Sequence, residues 1–144
     1  MQFSGKFINS SLDHSKDIDV LMNKPLLKNI LFIDDDSSSG LMAKLYLERN
    51  KFKVYVAKNT NRARKLLGQF HFNLIISDIG MPGENGIEFF KWLRNEDTFK
   101  DIPVFLISAH ASNLDDLDPN ADVEFFEKPL FFPTLIDRIN EVII

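Results

Sequence analysis

An α/β fold, a parallel sheet with helices on both faces, is predicted by two features of this 144-residue chain. From Asn29 onward, short continuous apolar runs alternate with stretches whose apolar residues recur at helical spacing. The runs lack the polar alternation of a half-exposed strand, so both of their faces should be covered. Strand and helix in regular alternation then imply a parallel sheet sandwiched between helices.

Residues 1–28 stand apart from this pattern. They mix Phe3, Phe7 and Ile8 with polar residues and keep no sustained period. Asp17 to Met22 is long enough for a turn or two of helix. The segment is read as an N-terminal extension, partly ordered or disordered, ahead of a domain at 29–144. Asn9-Ser10-Ser11 matches the glycosylation triplet and is read as a chance match.

Within the domain, Ile30-Leu31-Phe32-Ile33 is the first strand, stopped by three aspartates. Ser37 or Ser38 is placed to cap the next helix, with Leu41, Met42 and Leu45 on its buried side. Val54 to Ala57 is the second strand. Asn59 or Thr60 caps a helix carrying Ala63, Leu66, Leu67 and Phe70. Asn73 to Ser77 is the third strand. The stretch Gly80 to Gly86 holds three glycines and a proline, so it is an irregular loop. Ile87, Phe90 and Leu93 define a helix, with Phe89 and Trp92 widening its apolar face. Val104 to Ile107 is the fourth strand and Val123 to Phe126 a shorter fifth. Leu135, Ile136, Ile139, Val142 and Ile143 mark the last helix.

The bulk numbers set limits. The length suits one domain with one core. Fourteen Phe make that core aromatic-rich, and the net charge of -4 argues against a nucleic-acid surface. With no cysteine, disulfides and thiolate metal sites are excluded. No apolar run approaches the roughly 20 residues of a membrane span. The N-terminus lacks the basic-then-apolar order of a signal peptide. A cytoplasmic location is expected.

In open parallel sheets, sites form at the carboxyl ends of the strands. Here those ends carry Asp34, Asp35 and Asp36, then Asp78, then Ser108, then Lys128-Pro129. Folded together, they form an acidic cluster with one hydroxyl and one ammonium. Two carboxylates about 4 Å apart repel by roughly 4 kcal/mol at an effective dielectric near 20. Several need a countercharge to stay ionised. Magnesium suits oxygen ligands and leaves positions for water and phosphate. Lys128 adds a movable positive charge, and Ser108 can donate to an arriving oxygen. Metal, ammonium and hydroxyl make a receptacle for a tetrahedral anion. Asp78, beside the irregular loop, is the candidate nucleophile toward phosphorus.

With these residues in place, the chain resembles the receiver domain of two-component response regulators. The matching stretches are Ile30 to Asp36, Leu74 to Gly86, Ile102 to Ala109 and Phe126 to Pro129. The resemblance covers roughly 29 to 144. It implies a flavodoxin-like three-layer fold with a five-stranded parallel sheet in the order 2-1-3-4-5. It also implies Asp78 as phosphoacceptor, and magnesium held by Asp34, Asp35, Asp78 and the backbone carbonyl of Gly80. Ser108 falls at the switch hydroxyl and Phe125 at the switch aromatic. Lys128 would pair with Asp78 or its phosphate, next to a cis Lys128–Pro129 bond. The implied phosphodonor is a histidine kinase or a phosphotransfer domain. The output is a downstream protein partner or an effector domain missing from this sequence.

Three features depart from the family's pattern. The loop after the phosphoacceptor reads Glu84-Asn85-Gly86 rather than Met-Asp-Gly. Leu114 to Pro119 is acidic and proline-broken, so the fourth helix should be short, shifted or absent. Phe125 lacks a hydroxyl and can couple only by packing. His110, two places after Ser108, is either a modulator of phosphoryl lifetime or a solvent-facing residue without a role.

Two other functions share some of these residues. Asp34-Asp35-Asp36-Ser37-Ser38 fits the Asp-x-Asp-x-Ser pattern of haloacid-dehalogenase-like phosphatases, with Asp34 as nucleophile. That family needs further acidic ligands after the lysine, and none suitable follows Lys128. The second is a pseudo-receiver, an interaction module that is not phosphorylated. Nucleotide binding lacks a glycine-rich phosphate loop after the first strand. The reading taken forward is a phosphorylated switch, not an enzyme beyond its own phosphorylation and dephosphorylation.

Overall fold

The computed structural model of the chain describes residues 26–143. The extension read at 1–28, its possible helical turn at 17–22 and the Asn9 triplet therefore lie wholly or largely outside the described residues. Strands β1 (Lys28–Ile33), β2 (Phe52–Ala57), β3 (Leu74–Asp78), β4 (Val104–Ser108) and β5 (Glu124–Glu127) form one sheet. All neighbours are parallel and the order is β2-β1-β3-β4-β5, as expected. Helices α1 (Ser37–Arg49), α2 (Thr60–Gln69) and α3 (Gly86–Asn95) make the first three crossovers, and with α4 (Phe132–Val142), which follows β5, they cover both faces.

Successive side chains of a strand point to opposite faces, so an apolar run feeds two cores. Leu31 and Ile33 of β1 pack with Ala63 and Leu66 of α2 and Phe90 and Leu93 of α3. Ile30 and Phe32 pack on the other side with Ala43 and Leu47 of α1 and Leu135 and Ile139 of α4. Each fully buried Leu, Ile or Phe stabilises the fold by about 2 kcal/mol. These paired cores fix the strands, and with them the residues at the strand ends.

Helix α1 differs from expectation in two ways. Its N-cap is Asp36, not a serine: the carboxylate accepts from the Ser38 amide at 3.1 Å and the Ser39 hydroxyl at 2.9 Å. Its buried stripe is Gly40, Ala43 and Leu47, while Leu41, Met42 and Leu45 point outward. The helix lies close to the sheet, so small residues occupy the contact. A Cβ on Gly40 would sit 2.7 Å from Cγ1 of Val56. Leucines could not fit there, and they are left on the far side.

Other elements follow the reading with small shifts. Asn59 caps α2 by accepting from the Arg62 amide at 2.8 Å. Phe70 at the end of that helix is exposed, with its ring 4.4 Å from Tyr55. Strand β5 starts one residue later than expected. Between β4 and β5 stands a single 3-10 turn, Ala111–Leu114. No α-helix forms there, because Asp118-Pro119 breaks the chain and a run of acidic residues offers little to bury.

Candidate functional site

The sheet's carboxyl edge brings four strand ends together. Register pairs Ile33 with Ser77 and Asp78 with Ile107, so Asp34 and Asp78 leave neighbouring strands side by side. Ser108 pairs with Glu127, and the Lys128 amide continues that ladder by donating to the Ser108 carbonyl at 2.9 Å. Asp34, Asp35 and Asp78 each present a carboxylate oxygen, and the three oxygens lie within 4.8 Å of one another. Lys128 Nζ stands 3.0 Å from Asp34 Oδ2 and 3.4 Å from Asp78 Oδ1. The Asp36 amide donates to Asp34 Oδ1 at 2.9 Å.

Burial and charge shape this cluster. Asp34, Asp78 and Ser108 are buried, whereas Asp35 faces solvent. Burial, then the charge of Asp34, pushes the Asp78 carboxyl above its ordinary value, with Lys128 pulling the other way. Burial alone would lower the Lys128 ammonium. Its hydrogen bond and charge pairing with Asp34, then Asp78, outweigh this and raise it. The site thus holds more negative charge than one lysine neutralises. An ion fits that need: three oxygen donors converge, one open to water, the donor set magnesium prefers.

The other expected residues are placed as follows. Gly80 is exposed two residues beyond Asp78. Phe125 is half-buried against the core on the α2–α3 side and pairs with Leu106. The Lys128–Pro129 bond is cis. His110 is exposed, and its backbone carbonyl and amide are both bonded to Ser108 Oγ.

Three residues here were missed as site neighbours. Asn113 donates to Ser108 Oγ at 2.6 Å. Arg64 of α2 reaches Glu84 of the loop after β3 with two bonds, at 2.7 and 2.9 Å. Glu84 had a signal, its departure from the expected loop residues. Arg64 and Asn113 had none.

A cavity of about 550 Å³ opens beside the carboxylates, lined among others by Asp34, Ser38, Met42, Lys128 and Phe132. From α1, Ser38, Ser39 and Met42 line it, and the same helix carries further exposed apolar side chains. Leu41 is 60% exposed, Leu45 52%, and Phe131, just before α4, 68%. Tyr46 stacks on Phe132 with ring centroids 4.6 Å apart.

Comparison with known proteins decides the family. Residues 30–140 match the response regulator receiver domain. The chain belongs to that family. This receiver domain is 32% identical over 118 residues to protein PetR of Rhodobacter capsulatus, covering 80% of the chain and 48% of PetR. It is 31% identical over 120 residues to the phosphate regulon transcriptional regulatory protein PhoB of Escherichia coli, covering 81% of the chain and 52% of PhoB. The chain thus spans about half the length of these two relatives. Among solved structures, it resembles the response regulator TrrA of Thermotoga maritima, in complex with Mg-BeF. The TM-score is 0.72 at 28% identity, covering 81% of this chain and 99% of that one. Receiver domains of this family are signalling switches. Neither the fold nor the comparisons favour the phosphatase or the pseudo-receiver reading. No helix among the described residues is long and apolar enough to cross a membrane.

Proposed function

We propose that this receiver domain accepts a phosphoryl group on Asp78 and thereby switches a protein-interaction surface. The observation that carries the reading is the convergence of Asp34, Asp35 and Asp78 within 4.8 Å, with Lys128 bridging two of them. A phosphohistidine of a kinase or a phosphotransfer domain is the donor. An Asp78 carboxylate oxygen attacks phosphorus, the new O–P bond forms as the N–P bond breaks, and the electron pair leaves on the imidazole nitrogen. Asp34, Asp35, Asp78 and the Gly80 carbonyl would hold magnesium, whose charge offsets that of the phosphoryl oxygens. Lys128, now shared by Asp34 and Asp78, turns to the phosphate. Ser108 donates to a phosphoryl oxygen, and Phe125 follows by packing. Positioning and charge neutralisation supply the rate. The domain works in the cytoplasm, on a protein partner or an attached effector.

The donor would dock over the apolar side of α1, where Met42 and Phe132 line a cavity with Asp34 and Lys128, the two side chains next to Asp78. An apolar patch of this kind, beside a polar opening, marks an interface. We therefore place the donor on Leu41, Leu45 and Phe131.

Phosphate labelling tests the reading. With acetyl phosphate and magnesium, the chain should be labelled and Asp78→Asn should not. Labelling that survives Asp78→Asn but is lost in Asp34→Asn would overturn it. Leu45→Lys should leave acetyl phosphate labelling intact and slow transfer from a kinase; unchanged transfer would move the donor elsewhere.

A further inference from the structure

The Ser108 hydroxyl has every bond it can make without any ligand. Its proton goes to the His110 carbonyl at 3.1 Å. Its lone pairs take the His110 amide at 3.2 Å and the Asn113 side-chain amide at 2.6 Å. A hydroxyl has one proton and two acceptor positions, so this inventory is complete. Ser108 is also 1% exposed, so water cannot readily replace a partner that leaves. To donate to a phosphoryl oxygen on Asp78, the hydroxyl must give up the His110 carbonyl and turn. Turning brings the proton into one of the two acceptor positions, and of the two donors there the Asn113 side chain is freer to leave than the His110 backbone amide.

Asn113 sits in the 3-10 turn that occupies the place of a fourth helix. The next residue, Leu114, and then Leu117, Ala121 and Val123 lean on the core beside Phe125. Among the described residues, the other bonds within this stretch are local: Asn113 N to His110 O, Leu117 N to Leu114 O, Asn120 N to Asp118 Oδ1, Ala121 N to Asp118 O and Val123 N to Ala121 O. A long-range tie, from Arg94 to the Asp122 carbonyl, anchors its far end. The Asn113–Ser108 bond is the tie at the near end.

We infer that Asn113 is a positioning residue for the switch hydroxyl: its amide latches Ser108 in the resting state, and phosphorylation releases the turn by taking Ser108 away. The latch sets how much phosphoryl affinity is spent before the surface changes. It also explains how a receiver without an α-helix after β4 transmits its state, through one side-chain bond and the leucines beyond it. This inference rests on the phosphoacceptor reading of the same site.

The test is an NMR titration of the full chain with beryllium fluoride and magnesium. Removing a resting-state bond that the switched state lacks favours the switched state. Asn113→Ala should therefore lower the half-saturating beryllofluoride about fivefold, the size of one neutral hydrogen bond. In a Ser108→Ala background the same change should have no effect. In the unaltered chain, beryllofluoride should raise hydrogen exchange at Asn113 and Leu117 while Met81 and Gly86 stay protected. An unchanged or weaker response in Asn113→Ala, an equal gain with Ser108 absent, or unaltered exchange at 113–117 would each overturn the latch alone. Failure of the unaltered chain to bind beryllofluoride would instead overturn the phosphoacceptor reading, and the latch with it.

Discussion

Two connections flank Asp78, and they are built from different materials. The loop after β3, residues 79–85, is held by charge and by a cap. Arg64 grips Glu84 with two bonds, and its guanidinium lies 4.4 Å from the Trp92 ring and 5.2 Å from Phe89. Asn85 and Glu88 form a reciprocal capping box at the start of α3. Met81 is buried, and the Met81 and Gly86 amides both donate to the Ile79 carbonyl. The connection after β4, residues 109–123, is held by local turn bonds, half-buried leucines, the Asn113 contact and, at its far end, the Arg94 bond to the Asp122 carbonyl; among the described residues it has no bidentate ion pair like that of Arg64 and Glu84. Charge-assisted bidentate pairs are stronger and more directional than single neutral bonds. On the proposed function, a site that holds a metal and also changes shape needs both kinds: the clamped loop would keep the Asp78 side constant while the loosely tied one responds.

The largest expected effect comes from breaking the clamped side outright. Gly86 opens α3 where a Cβ would collide with the Asp78 carbonyl oxygen and lie 2.9 Å from the Ile79 Cα. Backbone cannot yield as a side chain can. Gly86→Ala should lower unfolding free energy by about 3 kcal/mol, measured by urea denaturation. A loss under about 0.5 kcal/mol would mean that the loop is not fixed there.

A smaller effect is expected from loosening the same loop. Arg64→Ala removes a pair whose side chains are each 29% exposed, together with the contacts to Trp92 and Phe89. Surface pairs contribute about 0.2–1 kcal/mol and a cation–π contact about 0.5–1. A loss of about 1–2 kcal/mol is expected, with a change in Trp92 fluorescence. Weaker magnesium binding by titration calorimetry should accompany it. If stability falls while magnesium affinity stays constant, the clamp supports α3 and not the site.

The contrast between the two connections also shows what could be read beforehand. Asp34, Asp78, Ser108 and Lys128 were readable because each ends a strand, and parallel topology sends every such end to one edge. The 3-10 turn was foreshadowed by Asp118-Pro119, which speaks against a helix. Asn113 was invisible because an irregular turn has no period to place its side chain. Helix α1 misled for a different reason. Leu41, Met42 and Leu45 keep helical spacing, but so do Gly40, Ala43 and Leu47, one residue out of phase. Hydrophobicity alone chooses the larger residues. The closeness of helix to sheet, set by Val56 against Gly40, chooses the smaller.

The smallest effect is the one that isolates charge within the clamp. The hydrogen bonds from Arg64, opposed by partial burial, hold the Glu84 carboxyl below its ordinary value of 4.5. A carboxyl depressed in the folded state binds fewer protons folded than unfolded. Its stabilisation is therefore fully present above 4.5 and is lost as pH falls through the depressed folded value. Because the pair is partly exposed, the contribution is under about 1 kcal/mol. The chain and its Glu84→Gln variant should differ in unfolding free energy at pH 7 and converge as pH drops below the ordinary carboxyl range. Salt should shrink the neutral-pH difference as well. A gap that persists unchanged in acid would mean that Glu84 holds the loop by shape and hydrogen bonding. The contrast with the Asn113 side would then be one of bond number and not of charge.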